Sequence, residues 1–134
     1  MAESNQRLLW TMRILSAALL LATGGIHIYL VFAGVGGILG VLFVLNGIAG
    51  IVLAVAMVVT RGRLLQLTTV LSLLFLIATL GALLLALTVG LFGITETWDF
   101  TLVPETVIVE SIGIVVLAIT TALALRAPRA VRPA

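Results

Sequence analysis

The sequence predicts an all-α integral membrane protein: a four-helix up-down-up-down bundle with both termini cytoplasmic. Three observations predict it. First, the chain of 134 residues is 63% apolar and only 9% charged, whereas a soluble domain carries about a quarter charged residues. Second, the charges are confined to ends and loops and leave four long apolar stretches, each at or above the roughly 20 residues that cross a bilayer of about 30 Å. Third, all seven cations fall on one side of those stretches: Arg7, Arg13, Arg61, Arg63, Arg126, Arg129 and Arg132. Four acids, Glu96, Asp99, Glu105 and Glu110, fall on the other side, and only Glu3 lies with the arginines. Arginine-bearing ends stay in the cytoplasm, so the acidic ends face outward. The expected location is the cell membrane, with residues 1–134 forming one transmembrane domain.

Span 1 is expected over about 11–32. Its apolar run is long for the core of a secretory signal, and no clear A-x-A cleavage site follows it. Gly34, Gly36 and Gly37 then make a tight turn. Span 2 covers about 38–59 and closes on Thr60-Arg61-Gly62-Arg63, where paired arginines suit both the helix dipole and the lipid headgroups. Span 3 covers about 64–92, long enough to imply tilt or an extension above the membrane. The loop from Gly93 to Val103 is the longest connection, and span 4 covers about 104–125. The tail from Arg126 to Ala134, with Pro128 and Pro133, is expected to fray. Trp10 marks one interface, and Tyr29, Phe92, Trp98 and Phe100 mark the other, where amphipathic rings prefer to sit.

Small residues explain why four spans would pack. Gly36 and Gly40 form a G-x-x-x-G, and Gly40, Gly47 and Ala54 recur every seven residues. In span 3, Thr68, Ser72, Thr79, Ala82 and Ala86 share a stripe with Phe75. Small residues let helices approach closely, and hydroxyls bond across the interface. The stripes serve either packing within the chain or a seam to another copy.

The chemistry is sparse. His27 is the only histidine; it lies five residues before Phe32, roughly 8 Å below the outer surface. Glu110 lies six residues after Pro104, roughly 9 Å deep. A carboxyl within the membrane must face inward and be paired or protonated. The shared depth makes a His27–Glu110 hydrogen bond the natural expectation, with the alternative that either group simply bonds a neighbouring helix. Asn46, near mid-membrane, either glues helices together or joins the same cavity. Glu105 follows Pro104 at a helix start, where an acid suits the positive dipole end. With Glu96 and Asp99, it forms a candidate acidic vestibule above the cavity.

Several classes are excluded. The calculated pI near 10.5 does not signal nucleic acid, because the positive charge sits at cytoplasmic span ends, where it meets anionic lipid. Cysteine is absent, which removes disulfides and thiolate chemistry. A bis-histidine haem needs a second histidine. A closed zinc site lacks its ligands, and there is no phosphate loop or nucleophile elbow. No metal or cofactor is expected.

Three stretches, GGIHIYLVFAGVGG, GVLFVLNGIAG and GLFGITETWDFTLVPETVIVE, together resemble small four-span membrane proteins of halophilic archaea, with more distant look-alikes in actinobacteria. The resemblance implies a four-helix fold in a cell membrane and transfers no reaction and no catalytic residue. Small multidrug-resistance exporters share the size but carry an acid in their first span, which span 1 here lacks. Two functional readings follow. One is an accessory or assembly subunit, or a homo-oligomer, working through helix packing with the bilayer, other membrane subunits or itself as partner. The other is proton or cation binding or transport through an outward-facing cavity with His27 and Glu110. An enzyme acting on lipid or quinone would need an apolar pocket near His27.

Overall fold

The computed structural model describes residues 2–128; Arg129, Arg132 and Pro133 of the expected tail lie outside them. It is all-helical: α1 (Ala2–Phe32), α2 (Gly37–Val59), α3 (Gly62–Thr88) and α4 (Val103–Arg126). All four are long and apolar enough to cross a membrane.

The ends differ from expectation for local reasons. α1 begins nine residues before the predicted span, because nothing between Ala2 and Thr11 breaks a helix and Glu3 sits in its first turn. At 31 residues it is about 46 Å long, and the stretch holding Glu3 and Arg7 is exposed. α3 stops at Thr88, short of the predicted Phe92. Gly90 takes a left-handed φ of 85°, and its N–H donates to the Leu85 carbonyl oxygen at 2.8 Å, which terminates the helix with a glycine just past its end. The apolar residues beyond it fold into a tight turn. Leu91 and Ile94 exchange two backbone hydrogen bonds of 2.8 Å, with φ positive at both Phe92 and Gly93, the pattern of a type I′ hairpin. The loop then bends back, and the Glu96 N–H donates to the Ala86 carbonyl oxygen at 2.9 Å.

The helices form a ring in which α1 packs on α2 and α4, and α3 packs on α4 and, least extensively, on α2. Ile48, Val52, Leu67, Leu74, Ile108 and Val115 are at least half exposed on the outside. A helix that is apolar all round suits a membrane, where the outer face meets lipid rather than water.

The tightest seam is glycine-lined. A Cβ added to Gly24 would stand 3.0 Å from the Gly47 carbonyl oxygen, and one added to Gly50 would stand 2.9 Å from the Leu20 carbonyl oxygen. α1 and α2 therefore meet backbone to backbone. Gly47 and Ala54 serve this internal seam or the core beside it. Within the chain, Gly36 and Gly40 do not form a helix–helix contact. Gly36 precedes α2 as its N-cap, with nothing close to its missing side chain. Gly40 is crowded only by the Val35 carbonyl oxygen of the adjoining turn. Of the predicted cross-helix hydroxyl contacts, Thr68 makes one, 3.4 Å from the Thr60 hydroxyl at the end of α2. Thr79 donates to Leu76 of its own helix, and the Ser72 hydroxyl, though buried, has no partner.

The inter-helix polar contacts lie at one end, where α1 starts, α2 ends, α3 starts and α4 ends; this is the termini end. Arg13 donates through Nε to the Met57 carbonyl oxygen and through Nη2 to those of Val58 and Thr60, each at 2.8 Å. These are the last carbonyls of α2, which lack helical partners and carry the negative end of its dipole. The Trp10 ring lies 4.9 Å from the guanidinium carbon. Ser16 and Thr120 join α1 to α4 through hydroxyls 2.9 Å apart, and Gln66 Nε2 donates to the Ala124 carbonyl oxygen of α4 at 3.1 Å. From here to mid-bundle the interior is filled. Leu20, Met57, Leu76 and Leu117 have no exposed surface and belong to one apolar cluster.

Candidate functional site

The other half of the bundle, beneath the α3–α4 loop, is hollow. A cavity of about 470 Å³ lies there, within the size range of small-molecule sites. α2 contributes Leu39, Leu42, Phe43, Leu45, Asn46 and Ala49; α3 contributes Phe75, Ala78, Thr79, Ala82 and Ala86. His27 and Leu30 of α1 and Thr106 and Glu110 of α4 form the back, and Leu91, Phe92, Ile94, Glu96 and Phe100 close over the top. The cavity exists because the α3 stripe is small where α2 faces it: alanines at 78, 82 and 86 leave space that leucines would fill. The floor is closed where the Leu76 side chain packs into the space left open by Gly113, one turn below Glu110.

The structure brings His27, Asn46 and Glu110 to this one cavity. It does not form the expected His27–Glu110 hydrogen bond. His27 Nδ1 instead donates to the Thr23 carbonyl oxygen at 2.8 Å, one turn back on its own helix. Phe43 sets its ring edge-on to the imidazole, with centroids 4.9 Å apart. With Nδ1 carrying the hydrogen, the neutral ring leaves Nε2 as an acceptor.

Glu110 has no exposed surface, and neither of its carboxyl oxygens has a hydrogen-bond partner. The Thr79 hydroxyl stands between the Leu76 carbonyl oxygen, 3.1 Å away, and this carboxyl, and its single hydrogen can serve only one of them at a time. The Asn46 side-chain oxygen is likewise buried without a partner, so Asn46 does not tie two helices together through that atom. Buried polar groups are almost always satisfied, and a carboxyl left alone in an apolar interior carries a cost of several kcal/mol when ionised. Three unfilled acceptor atoms, two on α4 and one on α2, line this one cavity.

The predicted vestibule divides. Glu96 lines the cavity and is half-buried, and that burial pushes its carboxyl above the usual range. Asp99 and Glu105 are exposed and are not part of the lining; Glu105 occupies the first turn of α4 beside Pro104, where it complements the dipole. Among the described residues, no cluster of histidine and carboxylates stands ready to hold a metal ion.

Sequence reasoning missed Phe43 as the partner of His27, and it missed Arg13 as a helix clamp. Arg13 had a signal: a cation six residues inside the helix from Arg7 needs acceptors, and the nearest free ones are the carbonyls ending the next span. No known protein family, curated protein or solved structure matches the chain, so the site is read from its own geometry.

Proposed function

We propose that this protein is a membrane-embedded binding protein whose cavity receives a cationic group, with Glu110 as counter-charge and His27 and Asn46 as further ligands. The supporting observation is the fully buried Glu110 with both oxygens unpartnered in the cavity it shares with the other two. In this reading the bundle runs up-down-up-down with both termini cytoplasmic. The five described arginines then meet the cytoplasmic leaflet, and the cavity lies in the outer half. The filled half beneath Glu110 favours binding over conduction, since Leu20, Leu76 and Leu117 leave no surface for a passing ion.

The first reading of the sequence, an accessory subunit or homo-oligomer, draws on sparse catalytic equipment, the lack of a soluble domain and the small-residue faces. Gly24, Gly47, Gly50 and Ala54 are used inside the chain, and the alanines of α3 line the cavity. The apolar pocket beside His27 that a lipid- or quinone-modifying enzyme would need is present, but His27 and Glu110 do not form a bonded acid–base pair in it.

Native mass spectrometry of the protein gently released from its own membrane tests the proposal. The expected spectrum carries a stoichiometric cationic small molecule that is lost from Glu110→Gln. A protein that carries no such adduct, and instead holds other subunits in fixed ratio, overturns it in favour of the accessory reading. Because the chain lacks cysteine, single cysteines at Asp99 and Arg63 test the topology: only the first is expected to react with an impermeant thiol reagent in intact cells.

A further inference from the structure

We propose that the ligand is a lipophilic primary amine: an apolar chain held between α2 and α3, with its ammonium group against Glu110. This rests on the binding reading above and names the ligand class for it.

The head group follows from the hydrogen-bond inventory. Both Glu110 oxygens and the Asn46 side-chain oxygen are buried and unfilled, and His27 offers Nε2 as an acceptor once Nδ1 is spent on Thr23. Thr106 donates to Leu102 of its own helix; the donors left to the cavity are the Asn46 amide and the Thr79 hydroxyl, which is shared between Leu76 and Glu110, and neither supplies a positive charge. No arginine lines the cavity. The wall is therefore rich in acceptors, and the group that complements it carries several N–H donors and a positive charge. A primary ammonium has three such donors. A quaternary ammonium has the charge without the donors, and a carboxylate would add acceptors to acceptors.

The tail follows from the walls. Phe43, Phe75, Leu39 and the α3 alanines offer nothing to replace the water shell of an inorganic cation, but they suit a hydrocarbon chain. Leu42 and Leu45 line the cavity while remaining 41% and 58% exposed on the outer surface of the bundle, and Ala78 across from them is exposed too. The cavity thus reaches the lipid-facing surface along the least extensive helix contact in the ring. A lipophile dissolved in the bilayer can slide in sideways without crossing water.

The test is calorimetric titration of the full chain in nanodiscs, with empty nanodiscs subtracted, using octylamine, octyltrimethylammonium, octanol and octanoate. Octylamine is expected to bind saturably at one site per chain, at least tenfold more tightly than the other three. Glu110→Gln is expected to weaken octylamine at least tenfold, with little effect on octanol. Absence of saturable octylamine binding, or equal affinity for octanol or the quaternary ion, overturns the assignment. So does an unchanged affinity in Glu110→Gln. If the native protein still carries a Glu110-dependent cationic adduct by mass spectrometry while octylamine fails, the binding function stands and only the amine class falls. If both fail, the binding function falls with it.

Discussion

The termini half and the loop half of this bundle are built from the same four apolar helices, yet they treat polar groups in opposite ways. At the termini end, Arg13 reaches three carbonyls, Ser16 meets Thr120 and Gln66 caps α4; two unpartnered hydroxyls, those of Ser72 and Thr121, are the exceptions. Beneath the loop, the most expensive polar group of all, a carboxyl, is left with nothing. One half uses polarity to hold helices together. The other keeps it in reserve, at a stability cost that a protein built only for packing would have no reason to bear.

The contrast can be broken or sharpened experimentally. The largest effect belongs to Arg13. Arg13→Ala strands the end of α2 and is expected to lower unfolding stability in nanodiscs by about 3 kcal/mol, the scale of losing charge-assisted bonds in a part-buried setting. Arg13→Lys should recover only part of it, because an ammonium lacks the guanidinium fork. A loss below about 1 kcal/mol would mean the termini end is held by packing alone.

Glu110 should behave in the opposite sense. Glu110→Leu is expected to raise stability by about 1–3 kcal/mol while abolishing amine binding, since it replaces an unpartnered carboxyl with an apolar side chain of similar size. A clear loss of stability would show the carboxyl to be part of the scaffold and erase the contrast. Smaller still is the Ser16–Thr120 bond. A double-mutant cycle to alanine should yield a coupling of about 0.6 kcal/mol, the typical value for hydrogen bonds between membrane helices. Zero coupling would remove that bond from the ledger of the packed half.

The smallest effect concerns the loop. Burial raises the Glu96 carboxyl, so the folded loop holds its proton to higher pH than an unfolded one. Between the ordinary carboxylate range and that raised value the folded state binds more protons, and stability of the folded loop falls as pH rises through the window. Trp98 fluorescence in a Trp10→Phe background should report this as a transition just above the carboxylate range. Glu96→Gln should flatten it, and a transition persisting in that variant would assign it to another group.

The four helices are legible in the sequence, because apolar length acts over whole helices. Depth is legible too. Counting residues from Phe32 and Pro104 places His27 and Glu110 in the same half of the bundle, and one cavity is lined by both. Rotation about each helix axis is not legible. Helices that are apolar on every side carry no polar stripe to say which way Glu110 turns relative to His27, so shared depth was mistaken for contact. The same gap hid the inward turn of Glu96 and the outward turn of Asp99. Helix ends depend on single residues, and Gly90 overrides the apolar run through Phe92 because only the backbone conformation it permits lets the chain turn there.

The turn of Thr60 and Arg61 between α2 and α3 has a mechanical consequence. α1 and α4, packed on one another, form the spine of a book, with α2 and α3 as its two covers. Arg13 latches the foot of one cover to the spine, and the short turn stitches the two feet together. At the other end the loop folds back onto α3 at Ala86, and α2 and α3 share the least extensive contact in the ring. Any parting of the covers is therefore expected to fan open from the top.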